Sequence, residues 1–280
     1  MKAFVFPGQG SQKKGMGESL FDDFNDLTVK ANNILGYDIK KLCINDPDNS
    51  LSLTNYTQAA LFVVNAFMYL KESQNNNCDF LAGHSLGEYN ALFASGAFDF
   101  ETGLKMVQKR GLLMSQAKNG GMAAVIGCEK EEILNILKDN NIDTISCANF
   151  NSPGQIVISG PESDISNAEI FFKSLGKKYI KLKVSGAFHS YLMNDAKKEF
   201  KEFISKFKFN KLKIPVISNV EAQPYDDLKI AQLLCDQIVS PVKWQDIIIY
   251  LLEKGVNEFK EIGPGNVLTG LIKRIQKSIK

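Results

Sequence analysis

The chain has 280 residues, 44% hydrophobic and 23% charged, and its 33 basic and 31 acidic side chains leave a formal net charge of +2. That is the composition of a globular protein with one large core or two subdomains, and it excludes a disordered chain. The balanced charge speaks against a nucleic-acid partner, and no apolar stretch reaches the roughly 20 residues that span a bilayer. Five cysteines, irregularly spaced and without Cys-x-x-Cys, argue against a disulfide framework or a zinc site and suit a reducing cytoplasm. No signal peptide is expected, because Lys2 is followed by a short apolar run and then Pro7-Gly8.

Taken in order, Ala3-Phe4-Val5-Phe6 reads as a buried strand that breaks into Pro7-Gly8-Gln9-Gly10-Ser11-Gln12, with a helix expected from near Met16. The glycine-rich loop has Lys13 where a dinucleotide fingerprint wants glycine, and no Gly-Lys-Ser/Thr makes it a P-loop. Residues 17–77 read as helices with polar connections, including 58–72, where Leu61, Val64, Phe67 or Met68, and Leu70 fall near a helical period. Phe80-Leu81-Ala82 then runs into Gly83-His84-Ser85-Leu86-Gly87, and Ala91, Leu92 and Ala94 continue as a helix face. A helix over 100–117 places Leu104, Val107, Gly111 and Met114 together. After Gly120-Gly121 the rhythm changes to strand 122–127, helix 129–140, strands 144–148 and 155–159, helix 162–175 and strand 179–184. This βαββαβ order is the split βαβ of a ferredoxin-like subdomain, expected at 121–186 as an insertion into a larger α/β unit of 1–120 and 187–280. The last part supplies a helix near 192–207, a strand at 216–220, a helix near 246–254 and a strand at 259–262.

Chemistry enters at Ser85. Gly-x-Ser-x-Gly between strand and helix describes a nucleophile elbow, a sharp turn whose glycines let strand and helix approach closely while the hydroxyl stands clear. The helix N-terminus there favours negative charge developing during acyl transfer. An oxyanion hole would take the amide of Leu86 and, from the first strand-to-helix loop, that of Gln9. An activated serine needs a base, and the chain has two histidines. His84 adjoins Ser85, where elbow side chains diverge, so the base is expected to be His189. No carboxylate stands out to orient it, and a backbone carbonyl could serve. Arg110 lies at the edge of an apolar stripe, where it either snorkels or, if buried, needs an anion that its planar fork can clasp.

Several stretches together look like malonyl-CoA:acyl-carrier-protein transacylase, nearly end to end. They are Gly8-Gln9-Gly10-Ser11-Gln12, Gly83-His84-Ser85-Leu86-Gly87-Glu88, Gln108-Lys109-Arg110-Gly111 with Met114, Asn151-Ser152-Pro153, Gly186-Ala187-Phe188-His189-Ser190, Ser240-Pro241-Val242-Lys243-Trp244 and Gly263-Pro264-Gly265-Asn266-Val267-Leu268. The resemblance implies an α/β-hydrolase-like large subdomain with a parallel sheet and a ferredoxin-like insertion. It implies Ser85 as nucleophile, His189 as base, Gln9 and Leu86 as oxyanion amides and Arg110 as the holder of the malonyl carboxylate. By the same resemblance His84, Met114, Asn151 and Phe188 would lie at the substrate, and the main-chain carbonyl of Lys243 would orient His189. Phe188 beside the acyl α-carbon would favour malonyl over methylmalonyl.

The expected substrates are malonyl-CoA and a phosphopantetheinylated acyl carrier protein, with no metal or bound cofactor. Met16-Gly17, Asn119-Gly120-Gly121-Met122 and the run from Ala91 to Phe100 are most similar to discrete acyltransferases that serve polyketide synthases in trans, of the disorazole type. Lys177, Lys178, Lys181 and Lys183, or Lys273, Arg274 and Lys277, could meet an acidic carrier, or simply be solvated. The alternatives are the housekeeping transacylase of fatty-acid synthesis, a proofreading acyl hydrolase, for which Arg110 would be wasted, and a non-catalytic scaffold.

Overall fold

Short strands rich in buried apolar residues form a parallel sheet in the computed structural model, which describes residues 1–184 and 186–279. Ser185, part of the motif before His189, lies outside the described residues, as does Lys280. Strand β1 (Lys2–Phe6) is followed by helices α1 (Leu20–Asp23), α2 (Asn25–Leu35), α3 (Ile39–Asn45) and α4 (Thr54–Glu72). Then come β2 (Phe80–Gly83), α5 (Gly87–Ala94) and α6 (Phe100–Gln116). The helix expected from Met16 starts later. Gly15 and Gly17 have φ of 84° and 77°, in the left-handed region that interrupts a helix, so α1 begins only at Leu20.

The middle of the chain forms β3 (Gly120–Ile126), α7 (Lys130–Asp139), β4 (Ser146–Ser152), β5 (Gln155–Pro161), α8 (Glu162–Ser174) and β6 (Lys178–Lys181). These strands pair antiparallel in the order β4-β5-β3-β6, with β5 between β3 and β4, as a split βαβ requires. The chain returns through α9 (Asn194–Ile204), β7 (Val216–Ile217), α10 (Ile230–Gln237), α11 (Trp244–Glu253), β8 (Glu258–Glu261) and α12 (Val267–Ile279). The parallel sheet has the order β7-β2-β1-β8, so β1 and β2 are its centre. Their near-continuous apolar sequences follow from burial on both faces. The fold is therefore α/β, a parallel sheet with helices joined to a separate antiparallel sheet.

Helices α10 and α12 do not emerge from the sequence reading, although α12 buries Leu268, Leu271, Ile272 and Ile275 at helical spacing. Its first amides, Leu268 N and Thr269 N, donate to the Glu261 carboxylate at 3.0 and 2.8 Å. Between α10 and α11 the chain crosses to the antiparallel sheet. Phe150 N donates to Val242 O and Val242 N to Ala148 O, both at 2.9 Å, so this loop is stitched to β4. Among the described residues, no helix is long and apolar enough to cross a membrane.

Candidate active site

Three backbone segments converge at Ser85 more closely than any side chain would allow. A Cβ on Gly83 would lie 1.9 Å from Gly87 C, one on Gly87 would lie 2.0 Å from Phe6 O, and one on Gly8 would lie 2.4 Å from His84 O. Glycine at these positions is what lets β1, β2 and α5 meet. Ser85 itself adopts φ of 50°. A left-handed serine costs about 1–2 kcal/mol, and two hydrogen bonds worth about 1 kcal/mol each can offset it. Asn219 makes both: its Oδ1 accepts from Ser85 N and its Nδ2 donates to Gly83 O, each at 2.7 Å.

The His189 ring faces the serine, with Nε2 2.9 Å from Ser85 Oγ. Its Nδ1 is 2.8 Å from Gln237 O and 3.2 Å from Ser240 O. Carbonyls only accept, so Nδ1 carries the proton and Nε2 is left to take one from the hydroxyl. Lys243, expected to provide this carbonyl, does not. It precedes α11, and its oxygen accepts from Ile247 N at 3.0 Å in the first helical turn. Gln237 O is available because the last carbonyls of a helix lack intrahelical partners, and α10 ends there. That helix end also favours the positive charge an imidazolium would carry, by about 0.3–1 kcal/mol.

Burial, followed by the nearby Arg110 charge, lowers His189 to about 3, while the two carbonyls work the other way. His84 is also lowered by burial, opposed by its Nε2 contact with Asn151 Oδ1 at 2.8 Å. Because the chain has two histidines, both can be followed by NMR. In the folded protein His189 is not expected to titrate between about pH 7.5 and 5.5, and His84 should titrate below a free imidazole, whose pKa is near 6.5. An unfolded His189 binds a proton from about pH 6.5 downward whereas the folded one resists it. Its contribution to stability is therefore present above about pH 6.5 and is lost as pH falls toward the folded value. A histidine resonance moving with a midpoint near 6.5 before unfolding would contradict this.

Arg110, on α6, is 1% exposed, which settles the sequence alternatives in favour of a buried guanidinium. Its Nη1 donates to Gln58 Oε1 at 2.7 Å, and its Nη2 donates to Gln237 Oε1 at 2.8 Å and to Ser85 Oγ at 3.0 Å. The Tyr89 ring centroid lies 5.5 Å away. Among the described residues no carboxylate makes an ion pair with Arg110, so neutral oxygens hold it in a geometry that an incoming anion can complete. Met114 Sδ takes a contact from Gln58 Nε2 at 3.5 Å, which points the Gln58 oxygen toward the guanidinium.

A cleft of about 90 Å³ opens over these groups, lined by Gln9, His84, Leu86, Met114, Asn149 and Phe188 beside Ser85, Arg110 and His189. A Cβ on Gly8 would come within 3.5 Å of Leu86 N, so the loop that carries Gln9 packs against the serine turn, and both Gln9 and Leu86 line the cleft. Among the described residues neither amide has a hydrogen-bond partner. Asn151 lies one layer behind the cleft, its side chain holding the cleft-lining His84, and Asn149 is the β4 asparagine that lines the cleft itself. Four side chains escaped the sequence reading: Gln58, Glu88, Asn219 and Gln237. A signal existed for Glu88, the one Asp, Glu, Lys or Arg from Phe80 to Phe98.

A serine on an elbow, an imidazole within hydrogen-bond reach and unpaired amides beside them suit acyl transfer through a serine ester. The chain belongs to the acyl transferase family, whose domain matches residues 3–280. It is 55% identical to the polyketide biosynthesis malonyl CoA-acyl carrier protein transacylase PksC of Bacillus subtilis, covering 99% of this chain and 98% of that protein. The crystal structure of malonyl CoA-acyl carrier protein transacylase from Burkholderia pseudomallei superposes with a TM-score of 0.97 at 48% identity, covering 99% and 98% of the two chains. A malonyl-transacylase solved in complex with its type II polyketide synthase acyl-carrier protein superposes with a TM-score of 0.93 at 35% identity, covering 99% and 93%.

Proposed function

We infer that this chain transfers malonyl from malonyl-CoA to the phosphopantetheine thiol of an acyl carrier protein, with its duty in polyketide synthesis. The observation that carries the reading is the buried Arg110, 3.0 Å from Ser85 Oγ and held by neutral acceptors. A cation so placed suits an acyl group that ends in a carboxylate. The carboxylate binds Arg110, and His189 Nε2 takes the Ser85 proton as Oγ attacks the thioester carbon. The oxyanion is held by the Gln9 and Leu86 amides, and CoA leaves as its thiol with the proton from His189. The carrier thiol then gives its proton to His189 and attacks the malonyl-serine ester, and the proton returns to Ser85 as the ester bond breaks. Two half-reactions through one ester give ping-pong kinetics.

The chain is read as two subdomains, 1–120 with 187–280 and the insertion 121–186, a division that the strand order supports. Five unpaired cysteines support a cytoplasmic location. Phe188 is assigned to crowd the acyl α-carbon. The test is intact-protein mass after mixing with malonyl-CoA or methylmalonyl-CoA, then with a phosphopantetheinylated carrier. Malonyl should load faster than methylmalonyl and should leave to the carrier faster than to water. Adducts that pass only to water would make the protein a hydrolase. A fatty-acid carrier preferred to a polyketide carrier would make it the housekeeping enzyme.

A further inference from the structure

We infer that Glu88, acting through Gln237, is a positioning residue that keeps the Arg110 guanidinium open to a substrate carboxylate. The inference rests on the reading of Arg110 as the malonyl clasp. Glu88 is fully buried on α5, and its carboxylate accepts from three donors: Asn219 N at 2.7 Å, Tyr225 OH at 2.8 Å and Gln237 Nε2. Gln237 Nε2 also donates to Ser85 O at 2.8 Å. With both protons of that amide committed, the oxygen has one direction left. It meets Arg110 Nη2 at 2.8 Å.

The alternative orientation would bring the Gln237 NH2 against a guanidinium, two donors facing each other in a buried site, each without an acceptor. Glu88 opposes it, because its oxygen already accepts from Gln237 Nε2 and, when ionised, has no proton to give a glutamine oxygen. The same glutamine sends its main-chain carbonyl to His189 Nδ1, so one residue touches the base, the clasp and the serine backbone. Its neutrality matters as much as its orientation. A carboxylate in direct contact with Arg110 would pair with it, and a substrate carboxylate would then have to displace a buried ion pair. An amide interposed between Glu88 and Arg110 orients the cation without neutralising it.

The experiment compares acyl-enzyme formation from malonyl-CoA and acetyl-CoA, measured by rapid quench and intact mass. Acetyl has no carboxylate and so does not use the clasp. In Glu88→Gln the new amide competes for the orientation of Gln237. The kcat/KM for malonyl-CoA should fall by about 10- to 100-fold, mainly through KM, while that for acetyl-CoA changes by less than about threefold. Should Glu88→Gln fail to fold, Gln237→Met is read by the ratio alone: it also removes the bond to Ser85 O, so both acyl groups lose rate, but malonyl should lose at least about tenfold more than acetyl. Equal losses for both acyl groups, or an unchanged malonyl preference in Gln237→Met, would reduce Glu88 to a structural residue. Wild type that fails to load malonyl would instead overturn the reading of Arg110, an outcome visible without any substitution.

Discussion

Ser85→Ala should abolish the malonyl adduct seen by intact mass and lower transfer to the carrier by about 10⁴- to 10⁶-fold, the scale on which loss of a serine nucleophile is felt. The expectation follows from the geometry: Oγ lies 2.9 Å from His189 Nε2 and 3.0 Å from Arg110 Nη2. The fold should survive, because Asn219 bonds the backbone on either side of the turn and not the hydroxyl. A melting temperature close to that of wild type would separate lost chemistry from lost structure. An adduct that persists in Ser85→Ala, mapped by peptide digestion to another residue, would remove Ser85 from its role.

Arg110→Ala should cost malonyl-CoA about 30- to 5,000-fold in kcat/KM, equivalent to the roughly 2–5 kcal/mol lost when one partner of a buried charge pair is deleted. Acetyl-CoA should be nearly indifferent to the change, so the enzyme would lose its preference more than its chemistry. Arg110→Lys should not restore it. An ammonium can neutralise a carboxylate but lacks the planar fork that now reaches Gln58, Gln237 and the serine at once. The substitution should also lower the melting temperature, since two buried amide oxygens lose their donor. If malonyl and acetyl fall in parallel, Arg110 supports the site without selecting the acyl group.

What was legible in the sequence is what local rules dictate. The elbow could be read because each glycine answers a steric demand within a few residues, and His189 because a chain with two histidines offers few bases. The split βαβ emerged from turn chemistry and period alone. The burial of Arg110 could not be read, because a helical period places it at the edge of a stripe and only the packing of α6 decides which way it faces. Lys243 came from the resemblance alone, and the residues themselves could not correct it, because which carbonyl meets His189 depends on where α10 ends, and its eight residues make too short a pattern to place. Alternation along β4 could not say that Asn149 lines the cleft while Asn151 reaches His84, because β4 pairs with β5 irregularly, with register shifts between Cys147 and Asn149 and between Phe150 and Ser152. Inside and outside cannot be counted through a bulge.

The loop between α10 and α11 has a further consequence. Ser240 offers its carbonyl to the imidazole, and two residues later Val242 is stitched into β4 by a pair of backbone bonds. The link between the sheets and the tether of the base are thus one piece of chain. One carbonyl on the imidazole comes from the end of α10 and the other from a segment held by the antiparallel sheet, so the orientation of the proton acceptor is shared between the two halves of the fold.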